Sequence, residues 1–159
     1  MIRITFLLFI IIGSYSHIFC QPVITDKSFH FKHLSLEEGL PQPSVYALLQ
    51  DTFGYIWVAT ADGVAKYDGY AFKLYRQSDL KSRKLASNRT TALAEDSHGN
   101  IWISSDKGGL SMWHLDTDRI VQVNYLCEAE EIKSAFCYSM CRSRDSWLWL
   151  ATNKRSILF

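Results

Sequence analysis

An all-β fold is predicted by three observations. No sustained 3.6-residue apolar period runs through the chain after residue 20. Short apolar runs are instead separated by turn dipeptides such as Asp62-Gly63 and Asp68-Gly69. And one phrase recurs: "DTFGYIW" at 51–57 lies over "DSHGNIW" at 96–102, every matched pair 45 residues apart.

The repeat sets the architecture. Asp51, Gly54 and Trp57 return as Asp96, Gly99 and Trp102, and a glycine followed by an aliphatic residue comes next in each copy, at Gly63 and Gly109. A worn third copy, "WLWLAT" at 147–152, sets Trp149 at a spacing of 47 from Trp102, with Ser146 where the glycine stands elsewhere. A four-stranded antiparallel unit of this length is a β-propeller blade, whose two faces are buried only by stacking on neighbours. The expectation is an incomplete propeller of about two and a half blades, with Trp57, Trp102 and Trp149 as inter-blade core.

In order along the chain, residues 1–20 are expected to be a signal peptide. Arg3 precedes an apolar stretch, "ITFLLFIII" (4–12), too short to span a bilayer, which takes about 20 apolar residues, and a cut falls near Cys20–Gln21. Residues 21–43 form a lead-in with a candidate strand at 28–34. Blade 1 covers 44–88, with strands expected at 44–51, 55–60, 64–68 and 71–76. Asp51 is expected to bond the backbone of a turn that Gly54 closes with a positive φ. "YIWVAT" is apolar on both faces and so covered on both. Blade 2 covers 89–135. Its opening "RTTALAEDS" is read as a strand because its counterpart at 44–52 is one. A partial blade 3 occupies 136–159, and the sequence stops inside it.

Composition excludes several classes of function. The content is 48% hydrophobic and 14% aromatic with a formal charge of +1, and removal of residues 1–20 takes away Arg3 and no acidic residue. Neither a nucleic acid nor an anionic membrane is favoured. The basic stretch "KLYRQSDLKSRK" (73–84) is expected to be a solvated loop rather than an anion-binding patch. No Gly-x-Ser-x-Gly elbow, His-Glu-x-x-His pair or phosphate loop is present, so no catalytic residue, metal site or cofactor is expected. The histidines are scattered, and His98 stands where blade 1 has Phe53. Asp51 and Asp96 occupy the same repeat position, which makes them turn formers rather than an acid–base pair. Asn88, in "NRT", is read as a turn residue.

In an oxidising compartment Cys127, Cys137 and Cys141 would leave at least one thiol unpaired. On a regular strand Cys137 and Cys141 share a face about 13 Å apart, beyond disulfide reach. Pairing of Cys127 with Cys137 stays open beside buried free thiols.

"FHFKHLSLEEGLPQPSVYALLQDTFGYIWVATADGVAKYDGYAFKLY" (29–75) resembles the opening of the two-component regulator propeller, the extracytoplasmic sensor of hybrid histidine kinases of Bacteroidetes. Phe31, Leu34, Gly39 and Leu40 match its first phrase. Val45, Gln50, Asp51, Gly54, Ile56, Trp57, Thr60 and Gly63 match its second, and Leu85 and Asn88 match the start of the next blade. Ser104 departs from the usual glycine. The resemblance covers 29 to about 115 closely and 136–152 weakly. It implies a periplasmic, non-enzymatic module that helps detect glycan breakdown products, in a parent carrying complete propellers, a membrane span and a kinase core. Those output parts have no counterpart in this sequence, so it is expected to be a sensor fragment that touches a membrane only through the parent's anchor. A generic propeller interaction module is the alternative, and a propeller hydrolase or lyase a more distant one.

Function on rigid scaffolds concentrates in loops. The repeated Asp/Gly turns sit at one end of each blade. The candidate ligand-binding residues Lys81, Arg83, Lys84, Asp106, Lys107, Glu128 and Glu130 gather at the other. An oligosaccharide is the expected ligand, and missing blades or self-association through open blade faces are the expected partners.

Overall fold

The computed structural model describes residues 30–77, 85–107, 109–123, 136–154 and 156–158. The signal peptide, Cys127, and the loop candidates Lys81, Arg83, Lys84, Glu128 and Glu130 lie outside the described residues. The described residues 30–34 form no strand, although one was expected at 28–34. Nor is the basic stretch 73–84 solvated from its start: residues 73–75 belong to a strand, and Tyr75 is buried because its ring packs on the next blade.

Two four-stranded antiparallel sheets and one of three strands follow in chain order. Blade 1 is β1 (Val45–Gln50), β2 (Ile56–Thr60), β3 (Gly63–Tyr67) and β4 (Phe72–Tyr75). Blade 2 is β5 (Thr90–Glu95), β6 (Ile101–Ser105), β7 (Leu110–His114) and β8 (Arg119–Gln122). The third sheet is β9 (Cys137–Arg142), β10 (Leu148–Thr152) and β11 (Ser156–Leu158). Strands neighbour one another in sequence order within each sheet, the meander that short turns impose.

Each sheet buries one face against the next. Trp57, Ala59, Val64 and Tyr75 of blade 1 pack on Leu93, Ile101, Ile103, Trp113 and Ile120 of blade 2. Ala92, Ala94, Leu110, Trp102 and Met112, from the other face of blade 2, meet Cys137, Met140, Leu148 and Leu150. This is why the motif strands carry apolar residues on both faces: a middle blade has a neighbour on each side. The equivalent tryptophans report the stacking directly. Trp57 is fully buried, Trp102 half-buried, and Trp149, expected in the core, is 46% exposed because no described residue stacks beyond it.

All three first strands bulge at the same place. Val45 pairs with Thr60 and Ala47 with Ala59, leaving Tyr46 as the extra residue. Thr91 and Tyr138 are the extra residues of β5 and β9. A bulge breaks the two-residue alternation. Cys137 and Cys141 therefore do not share a face: Cys137 is buried against blade 2, while Cys141 is exposed. That overturns the regular-strand expectation, and both are free thiols.

Gly63 shows why its repeat position excludes a side chain. Its φ is +99°, and a Cβ there would stand 2.4 Å from the Tyr75 carbonyl oxygen. Its N–H donates to Asn88 O at 2.6 Å, tying the β2–β3 turn of blade 1 to the entry of blade 2.

Candidate functional site

The motif aspartates staple their own turns. Asp51 is buried, and its Oδ1 accepts the N–H groups of Phe53 at 3.0 Å and Tyr55 at 2.9 Å. Its Oδ2 accepts the indole N–H of Trp57 at 2.8 Å. Asp96 repeats the pattern with His98 at 2.8 Å, Asn100 at 2.9 Å and the Trp102 indole at 3.0 Å. Burial pushes the Asp96 carboxyl up, but the bonds from Trp102, Asn100 and His98 outweigh it, and the group lies below the usual carboxylate range. In the third copy Ser143 stands at the aspartate position and accepts the Trp147 N–H through its hydroxyl at 3.2 Å, and Ser146 takes φ 67° in place of a glycine. The turn role was legible in the sequence; the indole bond was not.

At the inner strands, consecutive bulge threonines serve both seams of blade 2. Thr90 Oγ1 accepts the Thr60 N–H at 3.0 Å, back toward blade 1, while Thr91 Oγ1 donates to Cys137 O at 2.9 Å, forward toward the third sheet. At the turn end, the last residues of β5 and β9 reach back one blade. Glu95 accepts the Thr52 N–H and hydroxyl, and Arg142 donates to Asp96 O at 2.7 Å.

A cleft of about 480 Å³ opens on the blade 1–blade 2 seam at this end. Phe53, Tyr55 and Phe72 come from blade 1, Trp113 and Leu115 from blade 2, and Lys66, Lys73, Asp68 and Asp118 supply charge. Asp118 is the hub of the seam. It accepts the Trp113 indole N–H and the Tyr75 hydroxyl, each at 2.9 Å, and pairs with Lys73. Burial raises the Asp118 carboxyl, but the bonds from Lys73, Trp113 and Tyr75 bring it below the ordinary range. The Tyr75 phenol moves far up, by burial first and then by the Asp118 bond and charge. Tyr75 and Trp113 flank Trp57, with ring centroids 5.9 and 4.9 Å from it.

Lys66 stands among aromatic rings. Its Nζ lies 3.8 Å from the Tyr55 centroid, 4.5 Å from Trp113 and 5.4 Å from Trp57. Burial draws its ammonium below the usual lysine range, while the charges of Asp51 and Asp118 pull it back up.

The favoured loop end presents less among the described residues. Asp106 is tied down, its N–H to Arg89 O and its carboxylate to Ser87 Oγ, each at 3.0 Å; Lys107 is exposed. Arg76 and Asp62 form an ion pair at the same end. No sequence signal marked the cleft, because Lys66, Lys73, Trp113 and Asp118 are not repeated residues. Among the described residues no group of three or more His, Cys, Asp or Glu could hold a metal ion.

Four-stranded meanders stapled at one recurrent turn and stacked face to face make this a β-propeller protein. Its fold is that of an extracellular domain assigned to a hybrid two component system of B. thetaiotaomicron, with a TM-score of 0.64 at 23% identity over 76% of this chain and 17% of that one. A virginiamycin B lyase from Staphylococcus aureus shares the fold at a TM-score of 0.51 and 13% identity, over 76% of this chain and 43% of the lyase. Residues 39–62 and 84–107 match the two component regulator propeller family. Over 61 residues it is 39% identical to Histidine kinase P4 of Formosa agariphila, an alignment that takes in 38% of this chain and 4% of that protein.

Proposed function

We propose that this chain is part of an extracytoplasmic ligand-sensing propeller of a hybrid two-component regulator, responsive to glycan-derived ligands and without catalysis of its own. The observation that carries the reading is the pair of regulator-propeller repeats at 39–62 and 84–107. The export-type N-terminus supports a periplasmic location, and the likeness to extracellular domains of two component systems supports it further. Signalling would pass through output modules of a longer protein, as the small share of its relative that it spans suggests. The outward faces support further blades as partners: blade 1 exposes Val45, Tyr46 and Leu48, and the third sheet exposes Trp149.

The test is fractionation of the expressed chain, followed by a thermal-shift screen against oligosaccharides. The expected result is a periplasmic protein cut near Gln21 whose unfolding temperature rises with a subset of sugars. An uncut cytoplasmic chain, indifferent to every sugar, refutes the proposal.

A further inference from the structure

The cleft on the blade 1–blade 2 seam carries more than a packing role. Its volume, about 480 Å³, falls in the range of small-molecule sites, about 300–1,000 Å³. Phe53 on its wall is 60% exposed, an apolar ring offered to solvent on an otherwise well-packed seam. The four ionisable groups are not equally occupied. Asp118 is spent on Lys73, Trp113 and Tyr75. Asp68 Oδ1 accepts the N–H groups of Tyr70 and Ala71 at 2.8 Å each, and its Oδ2 receives no hydrogen bond among the described residues. Lys66 Nζ touches rings only; it has neither a hydrogen bond nor an ion pair among the described residues.

A partly buried ammonium whose N–H groups meet no acceptor is an incomplete arrangement. What would complete it is set by the surroundings. Two lysines and two aspartates cancel, and Asp51 stands close enough to act on Lys66. An anion therefore gains no net attraction here. A cation finds the aromatic rings already taken by Lys66. The free capacity is a donor at Lys66, an acceptor at Asp68 and a flat apolar ring at Phe53. Vicinal hydroxyls on a saturated ring use all three, because each hydroxyl both donates and accepts while the C–H face of the ring stacks on an aromatic.

We propose that this inter-blade cleft is a binding site for a neutral pyranose unit of an oligosaccharide, held by Lys66 and Asp68 and stacked on Phe53. The inference rests on the sensing role proposed above and adds its place and its ligand chemistry. Because both blades line the cleft, an occupant also bridges the seam that Lys73, Tyr75 and Asp118 hold.

The experiment titrates the exported chain with neutral di- to tetrasaccharides of glucose, galactose, mannose, xylose and arabinose, and with uronic-acid and sulfated disaccharides. Intrinsic tryptophan fluorescence is the readout, since Trp113 lines the cleft. A neutral sugar is expected to give a saturable change whose affinity falls at least tenfold in Phe53→Ala and in Lys66→Met. Arg144→Met, an exposed residue of the third sheet's turn, should bind as wild type. Circular dichroism checks that each variant keeps its strands, and if Lys66→Met does not fold, Phe53→Ala decides alone. Neutral-sugar binding that survives Phe53→Ala overturns the cleft and leaves the sensing role standing. Binding of acidic sugars alone overturns the ligand class. No response to any sugar overturns both.

Discussion

Replacing Asp51 by asparagine should loosen blade 1 through a single hydrogen bond. Asp51 Oδ1 serves the N–H groups of Phe53 and Tyr55, and Oδ2 serves the Trp57 indole at 2.8 Å. An asparagine can keep its oxygen on the two backbone donors only by turning its NH2 group toward the indole, donor against donor. The alternative orientation sets that NH2 against both backbone donors and is worse. Trp57 is fully buried, so no water replaces the lost acceptor. A hydrogen bond to a charged group contributes about 1.5–3 kcal/mol, and a buried orphan donor costs a similar amount, so a loss of about 2 to 3 kcal/mol is expected. At about 1.4 kcal/mol per factor of ten, hydrogen exchange at the Trp57 indole and at the Phe53 and Tyr55 amides should quicken roughly 30- to 150-fold. NMR exchange measures this locally and does not require the whole chain to unfold in one step. In a Trp57→Phe background the indole donor is gone, and Asp51→Asn should change the two amides less than about fivefold, a loss under about 1 kcal/mol. Asp96→Asn should cost less, about 1 kcal/mol, because Trp102 is only half-buried. Equal acceleration of the amides with and without the Trp57→Phe substitution would refute the staple.

Three further outcomes follow from the same geometry. Ser146→Gly should stabilise the third sheet by about 1 kcal/mol, since Ser146 holds φ 67°, and slower exchange at Trp147 and Leu148 would show it. The carboxyls of Asp96 and Asp118 lie below their ordinary range, so the unfolded chain binds protons more readily than the folded one as acid is added. Their contribution is complete above the unfolded carboxylate value near pH ~4 and is lost as pH falls through the native values. Asp96→Asn should flatten the acid limb of a stability–pH curve, and an unchanged slope counts against that assignment. Finally, exposed Leu48 and Trp149 should drive self-association of the chain from Gln21 onward at micromolar concentrations. Leu48→Lys with Trp149→Glu should shift sedimentation toward the monomer, whereas a wild-type monomer with a sharp two-state transition would dispose of this idea.

The sequence by itself determined the blade. Repeat spacing, Asp-Gly turns and two-faced apolar strands are local patterns, and a strand that is apolar on both faces has to be covered on both. Hence Asp51, Gly54 and Trp57 could be given their places, and so could their partners 45 residues on. Even the weak third copy was placed, although its Ser143 and Ser146 change the turn chemistry. What only the tertiary structure decided is how unlike residues meet across seams. The bulge that sends Cys137 inward and Cys141 outward depends on the pairing of β9 with β10, and residue alternation along one strand cannot reveal it. The Lys73, Tyr75 and Asp118 network joins β4 to the turn before β8, and Lys66 draws its rings from two blades. These residues do not recur from blade to blade, so periodicity is silent about them. Their proximity is created by stacking, which brings together positions that neither neighbour in sequence nor share a sheet.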